Sequence, residues 1–396
     1  MRLLQLIESA ATGAGRHVME LTEGLAKRGH EVHLLYSPFR TDNVFAEGVK
    51  RMGAYANVRP VSFSMKKSLG FGDFAAARTL RQYVFEHGPF DVIHCHSTKA
   101  GWLGRAALMG GPAKIVFTPH LFFHADASRG AVARKLGARA ESSFAGASDK
   151  IIAVSHAEYH EALRIGIAEA KLALIPNGVA IPEAIDDQER DRLRREWGVM
   201  PGEVCIAFVG RFTEMKAPDV LLKSFAVLRS GQAQAVKLVM IGDGPLGISL
   251  RELGKTLAIE DDIVWLGSRD ARPLLCAVDV VALTSISEGH PLVILEAMAH
   301  GVPVVATAVG GIGETVQDGV TGFIASVGDV NAIACHLRRL AGDAELRRSM
   351  GKASRVAAQG FSADRMVERT AELYTQLIVE AKSKQPVSSR PAAVAR

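Results

Sequence analysis

At 396 residues, with 48% hydrophobic and 22% charged side chains, the chain is too long for one core and too apolar for a disordered protein, so two domains of about 150–200 residues are expected. A net charge of +5 with both signs well mixed suits attraction to phosphates or an acidic lipid surface and excludes the dense basic stripe of a nucleic-acid binder. No apolar run reaches the ~18–20 residues of a membrane span, the apolar start is too short for a signal peptide, and Cys95, Cys205, Cys276 and Cys335, scattered in or beside apolar runs, read as buried reduced thiols of a cytoplasmic protein.

Residues 2–8 form an apolar strand candidate, 9–15 a small-residue loop, and 16–28 a helix with Val18, Leu21 and Leu25 on one face, stopped at Gly29 before a strand at 31–36. The same alternation returns at 91–96, 114–119 and 150–155, which argues for a parallel sheet covered on both faces and a first domain ending near residue 180. A polar, charged stretch at 183–199 follows. The pattern restarts at 204–209 and continues with strands near 237–241, 263–266, 279–284 and 302–306. The fold class is therefore α/β, with two doubly wound Rossmann-like domains whose strand ends face a shared cleft. Domains are assigned at 1–180 and 200–370, with a helix over 371–382 returning towards the first domain and residues 383–396, rich in Ser, Pro, Ala and Lys, as a disordered tail.

Several loops after strands carry candidate chemistry. Gly13 and Gly15 sit between a strand and a helix, where backbone N–H groups approach an anion; a packing turn is the alternative, and a dinucleotide fingerprint is excluded because Val18 replaces its third small residue and Tyr36-Ser37 its acid. Gly210 opens a second such loop with Arg211 and Lys216 at a helix mouth, a cradle for a diphosphate unless the two are a solvated surface pair. The glycine loops at 242–245 and 310–313 lie on the same rim. Residues 287–296 set two carboxylates eight positions apart: Glu288 in a loop, Glu296 on a helix expected over 291–300, with Pro291 at its first position and Gly301 past its end. Strand alternation puts His94 and His96 on one face, but no Asp-x-Asp or His-Glu-x-x-His run accompanies them, so no metal site is assigned. His120, at a strand end, is the candidate for contact with a sugar or hydroxyl.

The segments 209–218, 241–245, 287–306 and 319–323, with 91–101 and 175–179 more loosely, resemble the retaining family 4 glycosyltransferases of the GT-B fold, among them bacterial capsule, exopolysaccharide and lipopolysaccharide enzymes. That resemblance covers nearly the whole chain to about residue 380. It implies a nucleotide-sugar donor held by the second domain and an acceptor held mainly by the first. It gives Glu296 the ribose hydroxyls, Arg211 and Lys216 the diphosphate, Glu288, Gly289 and His290 the transferred sugar, and His120 the sugar near the reacting carbon. Gly13 and Gly15 match a loop near the phosphates, where the family has adjacent glycines that Ala14 separates here. Implied too are retention of configuration, with the departing phosphate taking the acceptor proton, and no cofactor or metal.

Lys99, Arg105, Lys114, Arg129, Arg134, Lys135 and Arg139 alternate with Trp102, Leu103, Leu108, Leu121, Phe122 and Phe123, a mix suited to an acidic membrane surface or to a solvated helix face. With the resemblance, it favours a lipid-linked sugar or glycan acceptor and a peripheral place on the inner membrane face. UDP is the first choice of donor base and GDP the second. A nucleotide-sugar epimerase or hydrolase of the same two-domain shape is the rival, and the charged linker suggests that the cleft closes about it.

Overall fold

The computed structural model describes residues 1–11, 13–66, 70–184, 186–231 and 235–383. Thirteen strands form two sheets among these residues. The first contains β1 (Arg2–Ile7), β2 (Glu31–Tyr36), β3 (Val58–Ser62), β4 (Val92–His96), β5 (Lys114–Thr118), β6 (Lys150–Ala153) and β7 (Leu172–Leu174) in the order β3-β2-β1-β4-β5-β6-β7. The second contains β8 (Val204–Val209), β9 (Val236–Ile241), β10 (Ile263–Gly267), β11 (Val280–Leu283), β12 (Val304–Thr307) and β13 (Gly322–Ala325) in the order β10-β9-β8-β11-β12-β13. Every strand pair is parallel. Strands such as Val204–Val209 and Val304–Val305 are fully apolar because helices cover both sheet faces. In each sheet the order reverses beside the first strand, between β1 and β4 and between β8 and β11, and a doubly wound sheet opens its ligand crevice at that point.

Three strands escape a reading of periodicity, among them the four-residue β13. β3 carries Pro60, which a ladder tolerates only at an edge, and β3 is an edge strand; β7 is three residues long. The helix expected from residue 16 begins at Gly13 and runs to Lys27, so Gly13 and Gly15 form its first turn rather than the loop before it. The helix expected over 291–300 spans Leu292–Ala299, with Pro291 as its N-cap.

The C-terminal helix starts at Ala363 and ends at Ser383, longer than the expected 371–382. It buries Met366, Val367, Leu373, Tyr374 and Leu377 against Leu3, Leu21, Leu25 and Val32 of the first half, tying the chain's end to its beginning. Residues 384–396, the rest of the expected tail, lie outside the described residues. Of the four thiols, Cys95, Cys205 and Cys276 are buried, whereas Cys335, expected inside, is exposed. Among the described residues no helix is long and apolar enough to cross a membrane.

The basic-aromatic segment 99–139 is largely internal, contrary to its reading as a surface. Arg105 is fully buried, its Nη1 2.7 Å from Glu141 Oε1; Lys99 Nζ lies 2.7 Å from Asp73; Leu103 and Phe122 are core. Period 3.6 fits a helix pressed between neighbours as well as a solvated one, so the sequence did not separate the two. Arg129 and Met109 are exposed, and so are Val132, Lys135, Leu136 and Arg139, the last four on one face of the helix Ala131–Ala145.

Candidate active site

The loop after β11 faces the first half at close range. A Cβ added at Gly289 would stand 2.0 Å from the carbonyl oxygen of His120, so backbone meets backbone where a side chain would keep the halves apart, and one at Gly310 would stand 1.8 Å from the carbonyl oxygen of Glu288 within the second half. His120 itself takes φ +63°, a left-handed conformation uncommon for a residue with a side chain and found where surrounding structure imposes it. Ser287 Oγ accepts from Ala127 N at 2.8 Å across the same seam, and Glu314 accepts from His156 N and Ala157 N, at the start of a first-half helix, at 2.7 and 2.6 Å.

On the second half, Lys216 Nζ donates to Glu288 Oε1 at 2.5 Å, and Ser285 Oγ donates to the same oxygen at 2.6 Å. Thus Glu288, 8% exposed, is a paired and hydrogen-bonded carboxylate, and Lys216 keeps donors to spare. Arg211 is exposed, and its side chain makes no ion pair or hydrogen bond among the described residues, while its carbonyl accepts from Thr213 N at 2.9 Å. Gly210 follows β8 directly, its N–H donating to the Ile241 carbonyl. A cation without a partner beside a lysine at a strand end is a standing attraction for an anion.

Glu296 projects from the helix Leu292–Ala299 and is buried at 4% exposure. Its Oε1 accepts from Arg16 Nη1 at 2.7 Å, a contact spanning 280 positions, while its Oε2 has no hydrogen-bond partner. Glu296 lines a cavity of about 280 Å³ together with Arg16, Glu20, Gly178, Arg272 and Leu292. A buried carboxylate oxygen without a donor costs free energy until a hydroxyl or water supplies one, so Glu296 is an acceptor held ready. Arg16 escaped the sequence reading; nothing in residues 9–28 marks it, and its partners Glu296 and Asp270 are reached only when the halves face each other.

His290 does not join this group. Its Nδ1 accepts from Asn177 N at 3.1 Å, its Nε2 donates to Thr315 Oγ1 at 3.0 Å, and its carbonyl accepts from Asn177 Nδ2 at 2.7 Å. The ring also meets Phe361 at 5.4 Å between centroids. It therefore pins the loop to both segments that cross between the halves, and faces the linker instead of the cleft. Gly13 lies against Leu292 with room for a Cβ, whereas one at Gly15 would collide with the Ala10 carbonyl at 1.9 Å, so Gly15 serves the tight entrance of the first helix.

Behind His120 runs a polar chain through the first half. Thr118 Oγ1 meets His94 Nε2 at 2.7 Å, His94 Nδ1 meets the Tyr374 hydroxyl at 2.6 Å, Gln5 Nε2 donates to that hydroxyl at 3.3 Å, and Gln5 Oε1 accepts from His96 Nε2 at 2.6 Å. Burial lowers His17 to about 4 and holds His94, His96 and His120 well below the usual histidine value; it lowers His290 to about 4 as well. Each ring stays neutral in the folded protein down to its lowered value but protonates below about 6.5 once unfolded. Their stabilising contribution is complete above 6.5 and is lost as the pH falls towards 4. His17 alone accounts for about 3 kcal/mol by this linkage. Melting temperatures measured from pH 7 to 4.5 should drop steeply below 6.5, and a flat profile would contradict the buried neutral rings.

The glycosyl transferases group 1 family matches residues 189–357, and the Glycosyltransferase Family 4 model matches residues 11–181. An N-acetyl-alpha-D-glucosaminyl L-malate synthase of Bacillus anthracis is 29% identical over 94% of this chain and 96% of its own, and a D-inositol 3-phosphate glycosyltransferase of Actinosynnema mirum is 31% identical over 92% of each. Among solved structures, Anabaena Alr3699/HepE in complex with UDP and glucose aligns at TM-score 0.81 with 22% identity, covering 95% of this chain and 100% of that one. WaaG, a glycosyltransferase involved in lipopolysaccharide biosynthesis, aligns at 0.75 with 17% identity over 95% and 100%. Both share the two facing parallel-sheet halves described above. This chain therefore belongs to the group 1, family 4 glycosyltransferases, and it is a glycosyltransferase of the GT-B fold.

Proposed function

We propose that the enzyme moves a hexosyl group, with retention of configuration, from a nucleoside diphosphate sugar to a hydroxyl acceptor bound against the first half, with UDP favoured over GDP as the carrier. The observation that carries this is Glu296, buried with an unpartnered Oε2 and lining a cavity between the halves, near a loop whose Glu288 is paired with Lys216 and whose Gly289 touches His120. Glu296 takes the ribose hydroxyls, Arg211 and Lys216 the diphosphate, and Glu288, Gly289 and His120 the sugar; the role first given to His290 is replaced by its hold on the linker. The bond from the anomeric carbon to the phosphate oxygen breaks, the bond to the acceptor oxygen forms on the same face, and the acceptor proton passes to the departing phosphate. Fixed cations at that oxygen lower the barrier, and no metal or cofactor is needed there. The named complexes of Alr3699/HepE with UDP and UDP-glucose support the choice of base.

For the acceptor we favour a lipid-linked sugar or glycan of the cell envelope, reached from the cytoplasmic side. The exposed face with Val132, Lys135, Leu136 and Arg139 suits an anionic surface, and the lipopolysaccharide enzymes among the structural neighbours support the setting. Small anionic acceptors are the second reading, favoured by the malate and inositol 3-phosphate in the names of relatives that match nearly end to end.

A thermal-shift panel of nucleoside diphosphates and their sugars tests the donor. At a hundred times its dissociation constant the true nucleotide should stabilise the protein by about 2.7 kcal/mol, and indifference to every one of them would remove the proposal. Mass analysis of the product then separates acceptors, while free sugar or an isomerised nucleotide sugar would identify a hydrolase or epimerase.

A further inference from the structure

The first helix, Gly13–Lys27, carries Arg16 and Glu20 four residues apart on one side, and both reach across the seam to groups of the second half. The Arg16 guanidinium is forked between two carboxylates, with Nη1 2.7 Å from Glu296 Oε1 and Nη2 3.4 Å from Asp270 Oδ1. Arg272 Nη1 lies 3.3 Å from Glu20 Oε1, while its Nη2 holds Asp270 Oδ2 at 2.7 Å. A helix side that reads cation then anion thus meets a surface that reads anion then cation, and this complementarity fixes the register of the two halves.

The last torsion of a glutamate is broad and roughly two-fold, so a carboxylate left to itself presents either oxygen in many orientations. Glu296 is held instead. Arg16 takes Oε1 in a charge-assisted bond, and Oε2, without a hydrogen-bond partner, is the acceptor that remains. Among the described residues this is the one hydrogen bond the Glu296 side chain accepts, and it comes from the opposite half. Arg16 and Glu296 line the same cavity of about 280 Å³.

We propose that Arg16 is a positioning residue for the nucleotide: from the first half it sets the Glu296 carboxylate so that the free oxygen meets the ribose 2′,3′-diol. The carrier is then recognised in full only when the halves stand together. This inference rests on the assignment of Glu296 to the ribose hydroxyls. Without the guanidinium, Glu296 is a buried carboxylate free to turn, and the diol meets many geometries in place of one, whereas contacts to the diphosphate at Arg211 and Lys216 are untouched. By reciprocity, a nucleotide that prefers the positioned carboxylate also favours the facing arrangement of the halves.

The test is the affinity of the full-length protein for UDP and for GDP, each beside its 2′,3′-dideoxy analogue, measured by titration calorimetry. The wild-type chain should bind the carrier it uses about 10–100-fold more tightly than the dideoxy form, the worth of a hydrogen bond to a charged acceptor. In Arg16→Gln that ratio should shrink about tenfold, because the natural nucleotide weakens while its analogue scarcely changes. Should Arg16→Gln fail to fold, Arg16→Met, which keeps an unbranched stem, carries the same comparison. Glu314→Ala removes a different contact across the seam, the one to His156 N and Ala157 N, and should leave the ratio intact. An unchanged ratio in the Arg16 variant, both nucleotides weakened alike as a direct phosphate ligand requires, or a ratio that falls as far in Glu314→Ala would each overturn the role given to Arg16 and leave Glu296 at the ribose. A wild-type protein that binds both forms equally would instead remove the ribose assignment, and the inference with it.

Discussion

Lys216→Ala is expected to lower kcat/KM by about 10²–10³, roughly the loss seen when one fixed donor to a developing negative charge is removed. Lys216 holds Glu288 at 2.5 Å in the resting enzyme and lies beside the unpartnered Arg211, so it is the cation that can serve both the sugar-side carboxylate and the leaving diphosphate. Removing it strips the leaving group of a point charge and leaves Glu288 with the Ser285 hydroxyl as its remaining donor. The loss should fall mainly on kcat, because the negative charge grows in the transition state, with a smaller loss in affinity for the nucleotide. Lys216→Arg should recover only part, since a planar fork on a longer stem does not place one donor where the ammonium stood. Steady-state kinetics beside a melting curve decide the matter. A variant with wild-type turnover, or one whose deficit tracks a lowered melting temperature, would make Lys216 a structural residue.

The largest effect on stability is expected from Arg105→Leu, at about 3–5 kcal/mol. Arg105 is fully buried, donates through Nε to Gly101 O at 2.8 Å, sits 4.1 Å above the Phe117 ring and faces Glu141 at 2.7 Å. Glu141 is itself 3% exposed, and its other oxygen accepts from Trp102 Nε1 at 3.0 Å. Without the guanidinium, Glu141 becomes a buried charge with one indole for support. Its surroundings are hostile to charge: the neighbouring buried Glu158 is pushed up to about 8, first by burial and also by Glu141 itself. The double variant R105L/E141L removes both charges and should regain most of the loss, since an apolar pair of similar volume often matches a buried ion pair. Urea unfolding of the three variants measures this, and an unchanged midpoint for Arg105→Leu would show that the pair stabilises nothing.

Much of the frame is legible along the chain, and particular residues show why. Val204–Val209 and Val304–Val305 read as buried strands because a parallel sheet covered on both faces needs uninterrupted apolar runs, and the loops after them follow directly. The Glu288 to Glu296 segment is readable because a proline and a glycine bracket its helix. Arg105 and Lys99 mislead for the opposite reason: a cation in a helical pattern reads as solvent-facing, and only the packed neighbours Glu141 and Asp73 turn it inward. His290 misleads likewise, since motif position places it by the sugar while Asn177, Thr315 and Phe361 hold its ring at the linker.

By itself the sequence determined two doubly wound sheets and the rim on which the glycine loops stand. All of these depend on contacts between near neighbours in the chain or on the alternation of whole elements. Only the tertiary structure decided that Arg16 meets Glu296, that Gly289 lies against His120, and that His17, His96 and His120 share one corner. Those contacts join residues separated by roughly 24 to 280 positions, and local propensity carries no information about how one half is turned against the other.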